Sequence, residues 1–283
     1  MKPDGNKWTV RDLKSSLPEG KNRTDAYWTR WILRPLSYPV SLLFLQWGWS
    51  ANAVSYLSAL VATLGGVLLS LPYFRFQVVG SILLNFFAVL DCADGNIARV
   101  TGTTGPWGAW ADALGGYVAY VAALLGSGMA AEITAATQPL NLLCIPEIVW
   151  PRGGWVFLGG LAASANLLMR LTYQQYRALQ MRATSSPSVT FPEDDENHEN
   201  SEFSAGAGSE PATGEGSHNE ITLEKKISEN LGVTGLLMPA ILFGVLTKTT
   251  GCVVLFYTVL YGGGALVSIL RLARKVEAWK HFS

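Results

Sequence analysis

The stretch that decides the fold is "DCADGNIARVTGTTGPWGAWADALGG", residues 91–116. It places Asp91, Asp94 and Asp112 within or beside some of the most apolar sequence in the chain. A carboxylate inside the hydrocarbon of a membrane is costly, and acids in membrane segments commonly mark functional sites. The stretch therefore raises two questions: what compensates these charges, and what the acids do there.

The apolar segments around this stretch predict an all-α membrane protein with six transmembrane helices. A helix needs about 20 apolar residues to cross the hydrocarbon core of a bilayer. Six segments approach that length, at 50–72, 76–97, 109–131, 153–176, 232–249 and 251–272. The chain then divides into an N-terminal segment (1–47), transmembrane helices 1–4 with the aspartates (48–182), a polar loop (183–220), and helices 5–6 with the C-terminal tail (221–283).

The distribution of basic residues predicts the orientation of these helices. Of the 21 Lys and Arg, 18 lie in the N-terminal region, the 2–3 loop, the 4–5 segment or the C-terminal tail. The positive-inside rule then puts both termini, and the three aspartates, at the cytoplasmic face. We expect a multi-pass protein of the cell membrane, or of the endoplasmic reticulum membrane if the source is eukaryotic.

Residues 22–47 mix Trp, Arg and apolar residues, which predicts an N-terminal interfacial helix on the cytoplasmic surface. A buried cap on the helix bundle is an equally good interpretation. In either case Pro35 and Pro39 are expected to interrupt a single long helix.

The loop at 183–220 differs in kind from the rest of the chain. Its part from 193 to 220 contains nine acidic residues and neither Lys nor Arg. Such a segment buries too little apolar surface to offset its ordering entropy, so we predict a disordered acidic loop in the cytoplasm. A solvated linker is favoured over a regulatory or partner-binding role.

The overall composition excludes several classes of function. Formal net charge is +0, which gives no reason to expect a nucleic acid partner. Cys92, Cys144 and Cys252 are far apart and form no CxxC pair, so they indicate neither a disulfide framework nor a zinc site.

The aspartates themselves suit a hard divalent cation such as Mg²⁺ or Mn²⁺, which prefers oxygen ligands. Asp91 and Asp94 are three residues apart and share one face of a helix, while Asp112 lies one turn into the next span. The small side chains of Gly95 and Ala98 leave room for a ligand beside that face. A purely structural network of the acids with Arg99 is the main alternative, and a proton or cation path is a weaker one.

These residues resemble the signature of the CDP-alcohol phosphotransferase (CDP-alcohol phosphatidyltransferase) family, D-x2-D-G-x2-A-R-x8-G-x3-D-x3-D. Seven of its eight fixed positions match at the family spacing: Asp91, Asp94, Gly95, Ala98, Arg99, Gly108 and Asp112. The stretch "SANAVSYLS" also resembles a family segment, with Asn52 and Ser55 in place and Ala51 where proline is usual.

The resemblance implies transfer of a phosphatidyl or substituted phosphate group from a CDP-linked lipid or CDP-alcohol donor to an alcohol acceptor, with release of CMP. It implies six transmembrane helices, a site facing the cytoplasm, contact with membrane lipids and a homodimer. By the same resemblance the three aspartates bind Mg²⁺ or Mn²⁺. Gly95 and Arg99 contact the CDP group, Ala98 keeps space for it, and Asn52 and Ser55 line its nucleotide end.

The last aspartate of the family pattern is replaced by Gly116, which can supply neither a metal ligand nor a general base. Tyr117 is rotated by about 100° on the helix, and Glu132 and Glu147 are predicted on the far side of the membrane. Three accounts follow: an acidic acceptor that needs no base, a water or acid from elsewhere, or a catalytically impaired homologue that binds nucleotide-lipid or acts as a membrane partner.

The sequence does not identify which alcohol is the acceptor. Arg170, near the cytoplasmic end of the fourth span, is a candidate anchor for a phosphate on the acceptor. A snorkelling arginine at a helix end is at least as good an interpretation.

Overall fold

The computed structural model describes residues 7–18, 20–21, 25–137, 151–184 and 230–279, and all regular structure in these ranges is helical. Two irregular π-helical segments, Thr29–Leu33 and Val233–Leu237, each lead into an α-helix. The α-helices are α1 Val10–Ser15, α2 Arg34–Gln46, α3 Ala51–Leu69, α4 Phe74–Thr101, α5 Pro106–Thr137, α6 Gly154–Thr184, α7 Met238–Leu246 and α8 Thr250–Trp279.

The predicted fold class is confirmed, because five helices are long and apolar enough to cross a membrane: α3, α4, α5, α6 and α8. The remaining predicted span, 232–249, is a shorter apolar helix at Val233–Leu246. Its first turn contains Gly235, whose φ of −89° and ψ of −107° are not helical. The predicted acidic loop lies outside the described residues, except that α6 continues to Thr184.

Glycine lets the helices approach closely at the end of the bundle distant from the aspartates. A Cβ on Gly80 of α4 would lie 2.5 Å from the backbone oxygen of Gly65 on α3. A Cβ on Gly66 would lie 2.6 Å from the backbone oxygen of Ala122 on α5. Since real Cβ atoms do not approach a backbone oxygen so closely, α3 is clamped to both neighbours at positions where only glycine fits.

Helix α3 is the link between α4 and α5. Helix α3 packs along both α4 and α5, whereas α4 and α5 make little contact with each other. Helix α4 ends at Gly102, whose φ of 66° is left-handed, and Thr103 N donates to Ala98 O at 3.0 Å. The short connection to Pro106 then starts α5, which brings Asp112 opposite the C-terminal part of α4.

Helix α2 docks on α4 through a polar seam. Asn96 Nδ2 donates to Ser37 Oγ at 2.9 Å and to Ser41 Oγ at 3.2 Å, and all three residues are buried. The expectation that Pro39 interrupts the helix is wrong, since Pro39 lies inside α2. The irregular turn comes before Pro35, which sits in the first turn of α2, where a missing backbone N–H leaves no helical hydrogen bond unmade.

The opposite side of α2 exposes large apolar side chains, including Leu36, Leu43 and Trp47. Helix α2 therefore packs on the bundle through a serine-lined side, and its other side is apolar and exposed. That the apolar side lies in the membrane interface stays a prediction.

Candidate functional site

Asp91 and Asp94 on α4 and Asp112 on α5 lie near enough to one another for their charges to interact. The charges of Asp94 and Asp112 both act on Asp91, and the charge of Asp112 acts on Asp94. Asp94 is buried, with 4% of its surface exposed, and the other two are half-buried. That the three acids face one shared cavity and bind an ion there stays a prediction.

Asp94 is held in place by α3. Ser55 Oγ donates to Asp94 Oδ2 at 2.5 Å, and Ser55 is itself buried. The serine also donates to Ala51 O at 3.2 Å in its own helix. Ser55 therefore lies beside the motif and holds one carboxylate oxygen of Asp94, and the backbone of Gly95 is a second hydrogen-bond partner of that carboxylate.

Asp91 and Asp112 have no such support. Neither side chain makes a hydrogen bond or ion pair with another residue in the described ranges. Half-buried carboxylates without partners are energetically costly, and a divalent cation bound by their oxygens would compensate the charge. The donor set therefore fits Mg²⁺ or Mn²⁺ chemically, although no three His, Cys, Asp or Glu side chains of the described residues are already arranged to hold an ion.

Arg99 makes no direct ion pair with a described acid, although its charge acts on Asp94 and Asp112. Its NH2 donates to Asn96 Oδ1 at 2.7 Å, and its guanidinium folds back so that NH1 lies 3.2 Å from where a Cβ on Gly95 would be. Its Nε is buried and has no hydrogen-bond partner among the described residues. The structural interpretation, in which Arg99 pairs with the aspartates to pin two helices, lacks its central contact, and a buried N–H is left for a ligand.

The other residues implied by the resemblance lie at the same end of the bundle. Asn52 Oδ1 is 3.6 Å from where a Cβ on Gly108 would be, so the amide faces the start of α5. Ala98 is half-buried at the edge of the apolar cluster that includes Leu13 and Tyr38. Its small side chain contributes to packing on the N-terminal helices as well as lying beside the motif.

Gly116 is buried on α5, one turn beyond Asp112 on the same face. Tyr117 does not replace the missing acid, because its hydroxyl accepts a hydrogen bond from Gln174 Nε2 on α6. Glu132 serves elsewhere: Oε1 accepts from Gly153 N at 2.8 Å and Oε2 from Trp155 N at 3.2 Å, which holds the start of α6. Glu147 lies outside the described residues.

Arg170 is buried, with 7% of its surface exposed, so the interpretation as a snorkelling arginine is wrong. Its Nε donates to Asn166 Oδ1 at 3.1 Å, and its guanidinium lies 4.6 Å from the ring centroid of Tyr120. Tyr120 OH accepts from Val233 N at 3.0 Å, which ties α5 to the segment before α7. Tyr120 is four residues after Gly116, so this cation–aromatic group lies one turn deeper than the missing acid.

The sequence analysis missed a group of charges contributed by the N-terminal segment. Arg34, at the start of α2, is buried and forms an ion pair with Asp25. Asp25 N donates to Lys21 O at 3.0 Å, and Lys21 lies close enough to Asp91, Asp112 and Arg99 to interact electrostatically with each of them. Burial lowers the pKa of Lys21, the charge of Arg99 acts in the same direction, and Asp25 opposes both. In the sequence only their charge distinguishes Lys21, Asp25 and Arg34, because no motif in residues 21–47 relates them to residues 91–112.

An apolar groove of about 430 Å³ opens between α3 and α5, with Leu167 of α6 at its side. It begins beside Tyr117, next to Gly116, and continues away from the aspartates. Its wall is formed mainly by small and aliphatic residues, including Gly66, Val67, Val121 and Leu125. A groove of this size and composition suits an acyl chain.

Comparison with known proteins agrees with this geometry. Residues 49–184 match the family model described as CDP-alcohol phosphatidyltransferase. The match begins just before α3 and ends with α6, so it includes every motif residue and Arg170 but excludes the N-terminal segment, α7 and α8. None of the curated proteins compared with the chain matches it.

Proposed function

We propose that this chain, whose residues 49–184 match the CDP-alcohol phosphatidyltransferase family model, carries out phosphatidyl transfer in phospholipid synthesis. A phosphatidyl or other substituted phosphate group passes from a CDP-linked lipid or CDP-alcohol to an alcohol acceptor, and CMP is released. The observation that carries the proposal is the pair Asp91 and Asp112, half-buried across the gap between α4 and α5 and without partners among the described residues.

The family generally depends on a divalent metal, and we assign Mg²⁺ or Mn²⁺ to Asp91, Asp94 and Asp112. Bound there, the ion would neutralise negative charge on the two phosphates of the donor. Ser55 supports this assignment, because its hydrogen bond to Asp94 Oδ2 orients the carboxylate, as partners of metal-binding side chains commonly do.

The bond changes define what the site has to do. The acceptor hydroxyl oxygen attacks the donor phosphorus that carries the lipid or alcohol group, and a new P–O bond forms. The bond from that phosphorus to the bridging oxygen breaks, and its electron pair leaves with CMP. The hydroxyl proton is released to water or to a base. Negative charge therefore grows on the bridging oxygen as CMP departs.

Arg99 is the residue we assign to this charge. Its buried Nε–H has no partner among the described residues, and Asn96 holds the other side of the guanidinium. A fixed, charged donor of this kind stabilises an oxyanion without reorganising during the reaction. Gly95 leaves the guanidinium room to lie across the helix, while Asn52 and Ser55 line the nucleotide end.

The acceptor side is assigned to Arg170, whose buried guanidinium would bind a phosphate or other anionic group on the acceptor. The groove that starts beside Tyr117 supports a lipid as one of the two substrates, because it would shelter an acyl chain. Both assignments describe a site that receives one substrate from the membrane and the other from the aqueous side.

A second function is favoured by Gly116. The residue is buried where the family pattern has its last aspartate, and no acid of the described ranges takes its place. General-base catalysis is typically worth about 10²–10⁴-fold in rate. The alternative is therefore a catalytically impaired homologue that binds the nucleotide-lipid or serves as a membrane partner.

The proposal includes a location and an assembly. We infer that both termini and the aspartate end face the cytoplasm, in the cell membrane or the endoplasmic reticulum membrane, and that the chain forms a homodimer as the resemblance implies.

The test is CMP release by the purified full-length protein with CDP-diacylglycerol, Mg²⁺ or Mn²⁺, and a panel of acceptors with and without a phosphate group. Metal-dependent CMP release supports the transferase. Binding of CDP-diacylglycerol without CMP release from any acceptor supports the impaired homologue. Absence of both binding and release would contradict the transferase and the nucleotide-lipid-binding homologue, and would leave the membrane-partner role as the account to test.

A further inference from the structure

A buried amide connects the arginine of the motif to the helix that precedes the family match. Asn96 Oδ1 accepts from Arg99 Nη2 at 2.7 Å, and Asn96 Nδ2 donates to two serines of α2, Ser37 and Ser41. We propose that Asn96 is a positioning residue for Arg99, and that α2 sets the orientation of Asn96 through these two serines. The inference rests on the proposed function, because it concerns the arginine that is assigned to the departing CMP.

The hydrogen bonds of the two serines determine which way the amide points. Ser37 Oγ donates to Arg34 O at 2.8 Å, and Ser41 Oγ donates to Ser37 O at 2.7 Å. Because a hydroxyl has one hydrogen to donate, each serine can only accept from Asn96. The amide nitrogen therefore faces α2, and the amide oxygen faces the guanidinium of Arg99, which is purely a donor.

Burial and packing hold this arrangement in place. Asn96, Ser37 and Ser41 are each 0% exposed, so solvent does not compete for their hydrogen bonds. A rotation of the amide would leave buried polar groups without partners, which is costly. The next residue, Ile97, packs in the same apolar cluster as Tyr38 of α2, so the helix that carries the serines is itself fixed against this turn of α4.

The Arg99 side chain depends on Asn96 for its orientation. The bond to Asn96 is the one hydrogen bond that this side chain makes with a described residue, and its buried Nε–H has none. An unrestrained guanidinium would be drawn to the carboxylates of Asp94 and Asp112, whose charges it already affects. The neutral amide holds the guanidinium without cancelling its charge, so the charge remains available to a phosphate.

Neither part of this support is prescribed by the family pattern. The signature D-x2-D-G-x2-A-R leaves position 96 open, and α2 lies outside residues 49–184, which match the family model. The orientation of Arg99 is therefore set by residues that belong to this chain in particular. A change in the packing of α2 on α4 is transmitted to Arg99 through a single amide.

The first measurement follows Arg99 directly and needs neither donor, metal nor turnover. Phenylglyoxal modifies accessible guanidinium groups, and mass spectrometry of the full-length protein gives the rate at Arg99. We expect Asn96→Ala to raise this rate by about tenfold, since a hydrogen bond to a charged group is lost. Asn85→Ala is the matched control, because Asn85 is an amide of the same helix, about three turns earlier, that donates to Ser81 O and Met238 O. Its Arg99 rate should equal that of wild type.

A second variant tests the contribution of α2 while Asn96 is retained. Ser37→Ala combined with Ser41→Ala removes both acceptors of the amide, and alanine is the better helix former, so α2 should still form. We expect the Arg99 rate to rise in the same direction, by a smaller factor. A wild-type rate in folded Asn96→Ala or in the double-serine variant overturns the inference, as does an equal rise in Asn85→Ala.

The second measurement tests whether this positioning affects the reaction. CMP release from CDP-diacylglycerol is compared in wild type, Asn96→Ala, Arg99→Met and the combination of the two. We expect Asn96→Ala to lower kcat by about tenfold in wild type and to have no further effect in Arg99→Met, since its effect passes through that side chain. The same loss in both backgrounds would indicate a merely structural role and would contradict the inference. Absence of CMP release by wild type would contradict the proposed transferase, whereas the modification rates decide separately whether Asn96 orients Arg99.

Discussion

The two ends of α5 carry acids in opposite situations. Glu132, near the end of the helix, has both carboxylate oxygens bonded to backbone N–H groups of Gly153 and Trp155. Asp112 lies 20 residues earlier, which is about 30 Å along the axis, and it has no such bond to a described residue. The first carboxylate is satisfied by backbone groups of the fold, whereas the second makes no hydrogen bond to a described residue.

Helix packing differs in the same direction. Near Glu132 the helices are clamped at glycines, and a Cβ on Gly159 of α6 would lie 2.5 Å from the backbone oxygen of Leu124. Helices α4 and α5 make little contact anywhere along their length, and at the aspartate end a side chain, Ser55, joins α3 to Asp94 by a hydrogen bond. Near Glu132 the helices pack closely and the carboxylate is hydrogen-bonded, whereas Asp112 has no such bonds to described residues. This contrast separates the scaffold from the candidate site more clearly than the number of acids does.

The largest effect is expected from Asp112→Asn, which removes a charged oxygen from the aspartate end. CMP release should fall by about 10²–10³-fold, the range for loss of one preorganised electrostatic group in an active site. Asp94→Asn should act similarly, although its amide oxygen can still accept from Ser55. Glu132→Gln is the matched control and should retain activity; equal losses in Asp112→Asn and Glu132→Gln would erase the distinction between the two ends.

Gly116→Asp restores the fourth acid on the face of Asp112. If the missing carboxylate limits the reaction, CMP release with an ordinary alcohol should rise by about 100-fold, at the lower end of what a general base contributes. Slower release by the variant than by an active wild type would mean that Gly116 makes room for the acceptor.

Gly80→Val tests the close contact between α3 and α4 at the end of the bundle distant from the aspartates. The side chain would meet the backbone of Gly65, which has no rotamer by which to move away, so the free energy of unfolding should fall by about 2 kcal/mol or more. Thermal unfolding in detergent measures this. Gly160→Val is the control, since no atom lies within 4 Å of its Cβ, and a loss of stability as large as that of Gly80→Val would refute the clamp.

The smallest effect is expected from Glu132→Gln on stability. The amide keeps one acceptor oxygen but loses the charge and the second acceptor, so the free energy of unfolding should decrease by about 1 kcal/mol. The same thermal measurement applies, with Asp112→Asn as comparison. Because Asp112 supports no described contact, its substitution should leave the unfolding temperature unchanged or raise it, and a larger loss than in Glu132→Gln would assign Asp112 a structural role.

The sequence predicted the parts of the molecule that follow a period or a spacing. Apolar length identified five spans, and the i, i+3 spacing placed Asp91 and Asp94 on one face towards Asp112. The predicted span 232–249 extends too far at its C-terminal end. Residues 247–249 are polar, and the helix ends at Leu246.

The parts that were missed depend on tertiary contacts. Arg170 has the sequence context of a snorkelling residue, and only its stacking on Tyr120 reveals that it is buried. Arg34 is buried and paired with Asp25 at the start of α2, which packs on α4 through the hydrogen bonds of Asn96. No local periodicity encodes such a docking, so these residues could be assigned only from the structure.

The central claim is that Asp91, Asp94 and Asp112 form a site for a divalent cation. Calorimetric titration of Mn²⁺ into wild type, Asp94→Asn, Asp112→Asn and Glu132→Gln, all without donor, tests it most directly. We predict that wild type and Glu132→Gln bind Mn²⁺ with the same affinity, and that each aspartate variant binds it at least about tenfold more weakly, since each loses a charged ligand. Equal Mn²⁺ affinity in all four proteins would contradict the claim.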